Sequence, residues 1–114
     1  MPVALTVGTE RRRSQRIPLT VSIDVTNADP SLLFSGRCNT IDVNAQGCQF
    51  FLTRPFKHGT PLLISVVDTY QTVTACVVRS MPASPEMHAR LWKIGVEFAR
   101  PGNYWGVQAP PPSW

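Results

Sequence analysis

The chain has 114 residues, of which 43% are hydrophobic and 16% charged, a composition typical of one globular domain with its own core. The formal net charge is +4, and the arginines among residues 11–16 alone match that excess, so the basicity is local and does not indicate a broad nucleic-acid-binding surface. No apolar run approaches the length of a membrane span and no signal-peptide pattern is present, so we expect a cytoplasmic protein that does not associate with membranes.

Strand patterns dominate the sequence, and helical periodicity is weak throughout. The predicted strands are about Leu19–Val25, Ser35–Asp42, Cys48–Leu52, Leu62–Val67, Thr72–Arg79 and Leu91–Phe98. Turn-forming residues separate them, with loops at residues 27–31 and 81–86, a tight or left-handed turn at Gly47 and a hairpin turn at residues 68–71. Six short strands at this spacing predict an all-β fold, a small six-stranded antiparallel barrel whose closure would hide the strand edges.

The last residues are predicted to form an extended tail, because prolines at 101 and 110–112 exclude a helix. The tail carries Tyr104, Trp105, Val107 and Trp114, which we expect to anchor on the surface of the barrel. The sequence thus divides into a flexible N-terminal segment (1–10), a barrel domain that includes the arginines (11–99) and the tail (100–114).

Two segments far apart in the sequence together suggest an anion site. Arg12 and Arg16 form an R-x-x-x-R pair, and Asp42, Asn44 and Gly47 form a D-x-N-x-x-G stretch at the end of a predicted strand. Together they resemble the signature of PilZ domains, the bacterial receptors for cyclic di-GMP, in which R-x-x-x-R is followed by D/N-x-S-x-x-G. Asn44 stands where the family has Ser. The resemblance implies a six-stranded barrel, often followed by a C-terminal helix that the proline-rich tail of this chain does not predict.

The arginines supply what a cyclic dinucleotide needs, because a guanidinium binds phosphate with two parallel bonds and also stacks on flat rings. The resemblance assigns this role to Arg12 and Arg16. Arg13 is a third candidate contact, argued from its charge and its proximity. Taken alone, the arginine cluster is equally consistent with a solvated basic tail.

In the second segment, the carboxylate of Asp42 can accept bonds from the N1 and N2 donors of guanine, which adenine lacks as a pair. Asn44 keeps a donor and an acceptor but is longer than Ser, so we expect binding either to persist with an altered ligand geometry or to weaken. Gly47 would let the backbone approach the ligand without a Cβ in the way. Taken alone, this stretch is typical of an ordinary hairpin bend.

No enzyme is predicted, since the sequence shows no nucleophile with a nearby base and no phosphate-loop or dinucleotide-fold glycine motif. Cys38, Cys48 and Cys76 lack the spacing of a metal site, so we expect reduced thiols and no metal or other cofactor. Cys38 and Cys76 fall within predicted strands and are expected to be buried.

We therefore predict a receptor or adaptor that binds cyclic di-GMP and transmits the signal to an unidentified protein effector, because the barrel and tail leave no room for an output domain. One alternative is a degenerate barrel that binds proteins without the nucleotide, a possibility raised by Asn44. The other is a small nucleic-acid-binding barrel that uses the arginines and exposed aromatic rings. Nucleic acid is the less favoured partner, since the aromatic residues fall mostly at alternating, core-type positions.

Overall fold

The computed structural model describes residues 14–29, 34–83 and 91–114, and in these ranges it contains strands and turns but no helix. The strands are β1 (Ile17–Pro18), β2 (Ser22–Asn27), β3 (Ser35–Asn44), β4 (Gly47–Leu52), β5 (Pro61–Val66), β6 (Thr72–Pro82) and β7 (Trp92–Phe98). All pairings between them are antiparallel. No helix in the described ranges is long and apolar enough to cross a membrane.

Six of the strands close into a barrel in the order β3-β2-β5-β6-β7-β4, and the pairing of β4 with β3 completes the ring. The short strand β1 continues the line of β2 and pairs with the end of β3, where Ile17 lies opposite Val43 and Pro18 opposite Asp42. The six-stranded antiparallel barrel predicted from the sequence is therefore confirmed, with β1 as one additional strand. This extra pairing places residues 14–16, the described part of the arginine segment (residues 11–16), next to the end of β3.

Alternation along the strands builds the core, because every second side chain points into the barrel. Ile23, Val25, Phe50, Ile64 and Ile94 are each 0% exposed. They form one cluster with the remaining inward-facing apolar residues of all six barrel strands. The barrel is thus filled by side chains, and any ligand site must lie on its outer surface or at its ends.

The predicted anchoring of the tail is also confirmed. Trp105 is buried, and its indole ring lies 5.7 Å from the ring of Phe98, which also contacts Tyr104 edge-on at 5.1 Å. Val107 and Trp114 are partly buried against the same core. The tail therefore packs along the barrel in an extended conformation.

Two local predictions were wrong. Asn27 was expected in a loop but is the buried last residue of β2, and Met81 and Pro82 extend β6 instead of forming a loop. Gly47 was predicted to form a tight or left-handed turn. A tight turn at residues 45 and 46 joins β3 to β4 directly before Gly47, and the described residues with positive φ are others, among them Gly59. Glycine is required at position 47 because a Cβ there would overlap the carbonyl oxygen of Val96 on the neighbouring strand β7.

The three cysteines are free thiols. Cys48 is buried, whereas Cys38 and Cys76, predicted to be buried, are only partly so. Burial, together with the negative charge of Asp24, raises the pKa of the Cys38 thiol to about 12, and burial also raises the pKa of Cys48. These two thiols are therefore neutral at physiological pH.

Candidate functional site

A cavity of about 850 Å³ lies on the outside of the barrel, between the arginine segment, the ends of β3 and β4, the middle of β6 and β7, and the tail. Four residues predicted from the two sequence motifs line it, namely Arg16, Asp42, Asn44 and Gly47. Arg12 and Arg13 lie outside the described residues. The structure thus brings Arg16, the described residue of the first motif, to the same cavity as the second motif.

A β-bulge turns Asp42 toward this cavity. The register between β3 and β4 shifts between Thr40 and Asp42. Thr40 points inward and is 3% exposed, so strict alternation would also send Asp42 into the core. The extra residue, Ile41, inverts the alternation, so that Val43 fills the core and Asp42 faces outward.

A second bulge does the same for Arg79, a cavity residue that the sequence analysis missed. The register between β6 and β7 shifts between Val77 and Arg79, and Val77 is 0% exposed. The additional residue, Val78, turns Arg79 outward, where its side chain is exposed and lines the cavity. Neither bulge contains a glycine or proline that would have indicated it in the sequence. The pattern of alternation therefore did not predict that Arg79 faces outward.

The two bulges align four residues in one row across the barrel surface. Asp42 on β3 lies opposite Gln49 on β4, Gln49 lies opposite Gly95 on β7, and Gly95 lies opposite Arg79 on β6. Three strand spacings separate the ends of this row, or about 14 Å along the sheet. The carboxylate and the guanidinium therefore bracket the cavity from opposite sides.

Asn44 attaches the arginine segment to the end of β3. Its Nδ2 donates to the carbonyl oxygen of Ser14 at 3.1 Å, and its Oδ1 accepts from the amide of Gln46 at 2.9 Å. Ser14 itself is 2% exposed, and its Oγ accepts from the amide of Ala45 at 2.9 Å. Sequence reasoning did not find this role of Ser14, because a serine among arginines is typical of a solvated segment.

The tail holds the same segment from the other side. The amide of Gln15 donates to Ser113 Oγ at 2.8 Å, and the indole Nε1 of Trp114 donates to the carbonyl oxygen of Gln15 at 2.6 Å. Pro112 and Ser113 form part of the cavity wall. Both backbone groups of the residue that precedes Arg16 are therefore held by the end of the tail.

Among the described residues, the charged groups that line the cavity are two cations and two carboxylates, contributed by Arg16, Arg79, Asp42 and Glu97. Within the described residues the one ion pair, Arg37 with Asp24 at 2.8 Å, is formed by residues that do not line the cavity. The guanidinium donors of both cavity arginines are thus available to an anionic ligand. The described part of the chain contains no cluster of three or more His, Cys, Asp or Glu side chains that could hold a metal ion.

Comparisons with known proteins identify the fold. A sequence model of the PilZ domain family matches residues 10–103. Among solved structures, the Bacillus subtilis inhibitor of motility (MotI/DgrA) is similar with a TM-score of 0.58 and 18% identity, over 81% of this chain and 44% of that one. The PilZ domain of CeSA from a cellulose-synthesizing bacterium is similar with a TM-score of 0.55 and 24% identity, over 78% of this chain and 84% of that one.

The present chain thus spans less than half the length of the motility inhibitor, and at these identities the two structures establish the fold alone. No curated protein matches the sequence significantly. The family match extends over both motifs and all seven strands. The chain therefore belongs to the PilZ domain family.

Proposed function

We propose that this PilZ domain is a non-enzymatic receptor or adaptor that binds cyclic di-GMP in the cavity between the arginine segment and the barrel, and that it passes the ligand state to a protein partner. The observation that carries the proposal is that Arg16, from one motif, lines one cavity with Asp42, Asn44 and Gly47 from the other, although the two motifs are far apart in the sequence. The family, one of cyclic di-GMP receptors and adaptors, supplies the ligand class.

The chemistry of the wall suits such a ligand. Arg16 and Arg79 offer fixed positive charge and forked donors to phosphate or to the O6/N7 edge of guanine, and neither is engaged in an ion pair within the described residues. Asp42 offers an acceptor to the N1 and N2 donors of guanine. Arg12 and Arg13 remain candidate contacts from the sequence, and Arg79 is added by the structure.

We assign to the tail the transmission of the ligand-binding signal to a protein partner. Ser113 and Trp114 hold the backbone of Gln15, so any movement of the arginine segment around a ligand must change these contacts. The tail would then present a different surface in the bound and free states.

Isothermal titration calorimetry with cyclic di-GMP tests the site. We expect Arg16→Ala, Arg79→Ala and Asp42→Asn each to lower the affinity at least tenfold, because a hydrogen bond to a charged group contributes roughly 1.5–3 kcal/mol and about 1.4 kcal/mol corresponds to tenfold. Cyclic di-AMP should bind far more weakly than cyclic di-GMP, and a single-stranded oligonucleotide should not compete.

Two variants outside the cavity serve as controls. Arg100→Ala removes an exposed arginine, and Asp68→Asn removes an exposed carboxylate at a turn whose φ of 63° asparagine also tolerates. Both should bind like the wild type. Absence of wild-type binding, or equal affinities for all variants, contradicts the proposed site.

A further inference from the structure

Gln49 is a polar side chain buried in the cavity wall, with 6% of its surface exposed. Its Nε2 donates to both carboxylate oxygens of Asp42, at 3.2 and 3.4 Å. Its Oε1 is fully buried and has no hydrogen-bond partner in the described part of the chain. The amide thus has one end committed to Asp42 and the other end unsatisfied.

This arrangement does not serve the stability of the fold. A buried acceptor without a partner destabilises the folded state, whereas an apolar side chain of similar length would fill the same space without that cost. The remaining reason for an amide at this position is the bond to Asp42.

We propose that Gln49 is a positioning residue that fixes the carboxylate of Asp42 and thereby sets the selectivity of the site for guanine over adenine. The inference rests on the proposed binding of cyclic di-GMP and names the residue that controls which base is accepted.

The physical basis is the number of acceptor sites on a carboxylate. Its two oxygens offer about four lone-pair directions, and the Nε2 of Gln49 occupies one side of the group. The free directions are thereby held in a fixed orientation toward the ligand. The Gln49 amide orients the carboxylate without adding a charge to the site. The free lone pairs of Asp42 can then accept paired N–H groups, which the Watson–Crick edge of guanine has and that of adenine lacks.

No other charged side chain in the described residues takes over this task. Arg16, from the arginine segment, and Arg79, from β6, line the same cavity but form no ion pair with Asp42. Glu97, from β7, is an acceptor and cannot donate to a carboxylate. The described neighbour that orients Asp42 through its side chain is therefore Gln49.

Two variants test the inference, with calorimetric affinities for cyclic di-GMP and cyclic di-AMP as the readout. Gln49→Met keeps the length of the side chain but removes the donor. It should lower the ratio of the two affinities about five- to tenfold, the effect of one hydrogen bond, while the thermal midpoint stays equal or rises. Gln71→Met, at an exposed position in the turn between β5 and β6, is the matched control and should leave the ratio unchanged.

Gln49→Glu provides a pH readout that a merely structural role would not produce. At about pH 8 two facing carboxylates repel, so the selectivity should be lost. At about pH 5 the pair shares a proton, and a protonated Glu side chain can donate to Asp42 as the amide does, so the selectivity should return. Among the described residues, the other charged groups that line this cavity are Arg16, Arg79 and Glu97, and they are identical in wild type and variant.

The outcomes separate this inference from the proposed function. A wild-type protein that binds no cyclic dinucleotide contradicts both. Selective wild-type binding with an unchanged ratio in Gln49→Met overturns the role of Gln49 alone. A Gln49→Met variant that is less stable and loses affinity for both ligands equally, together with a Gln49→Glu variant without pH rescue, shows a structural role and also overturns the inference.

Discussion

The contact between Trp114 and Gln15 gives a quantitative test of how the tail prepares the site. Trp114→Phe removes the indole donor that holds the Gln15 carbonyl oxygen at 2.6 Å but keeps an aromatic ring against the core. Because Gln15 directly precedes Arg16, weaker docking of this segment should lower the population in which Arg16 faces the cavity. We expect a loss of about threefold in the affinity for cyclic di-GMP, for the following reason.

Residues 14–16 are docked by four polar contacts, two to the end of β3 and two to the tail. At about 1 kcal/mol net for each hydrogen bond, these contribute about 4 kcal/mol. Ordering the backbone of three residues costs roughly 3–6 kcal/mol, so docking is close to balance. Loss of one contact lowers the docking equilibrium constant about fivefold, so the docked fraction falls from about one half to about one sixth. The apparent affinity follows this fraction and should fall about threefold.

Calorimetry measures the affinity, and hydrogen exchange at the Gln15 amide measures docking independently, since this amide is bonded to Ser113. Trp92→Phe is the matched control, because the partly buried Trp92 makes no side-chain hydrogen bond in the described residues. Wild-type affinity in Trp114→Phe, together with a Gln15 amide that exchanges as fast as an amide in an unstructured peptide, would show that docking by the tail does not control binding.

Two further predictions concern the barrel itself. Gly47→Ala should lower the free energy of unfolding by about 3 kcal/mol, the upper part of the usual overpacking range, because the new Cβ meets the backbone of Val96 and not a movable side chain. Urea titration checks this against Gly95→Ala, whose Cβ meets ordinary contacts, and equal midpoints would contradict the steric account. The pKa of Cys38 is raised by burial from 9.0 to about 12, so its thiol ionises first in the unfolded chain and the free energy of unfolding should fall as the pH rises through this interval. Cys38→Ala should weaken that dependence, and parallel pH profiles for variant and wild type would refute the assignment.

Much of the barrel was predictable because it depends on alternation, a local property of the sequence. Residues such as Ile23, Val25 and Ile94 occupy inward positions that the period of two already indicates. The errors fall at strand ends, where burial is decided by the neighbouring strand. Asparagine is a common loop residue, yet Asn27 is buried because the pairing of β2 with β5 extends to Asn27 itself, which lies opposite Leu62.

The site was predictable only in part, because its geometry depends on departures from alternation. Strict alternation from Thr40 would place Asp42 in the core, and strict alternation from Val77 would place Arg79 there. Each is turned outward by one extra residue whose position is fixed by pairing with the adjacent strand. Asp42 was nevertheless found through the motif, whereas Arg79 belongs to no motif and became visible only in the structure.

The asparagine that stands where the family has serine is explained by the contacts around it. Its side chain joins the Ser14 carbonyl to the Gln46 amide, and its backbone oxygen accepts from the indole Nε1 of Trp105 at 2.8 Å. One residue thus connects the arginine segment, the end of β3 and the tail. A serine hydroxyl is shorter and has a single donor, so it could accept from the Gln46 amide but would not reach the Ser14 carbonyl as well. Asparagine in place of the family's serine is therefore consistent with a structure in which hydrogen bonds hold residues 14 and 15 against the end of β3 and against the tail, beside the cavity.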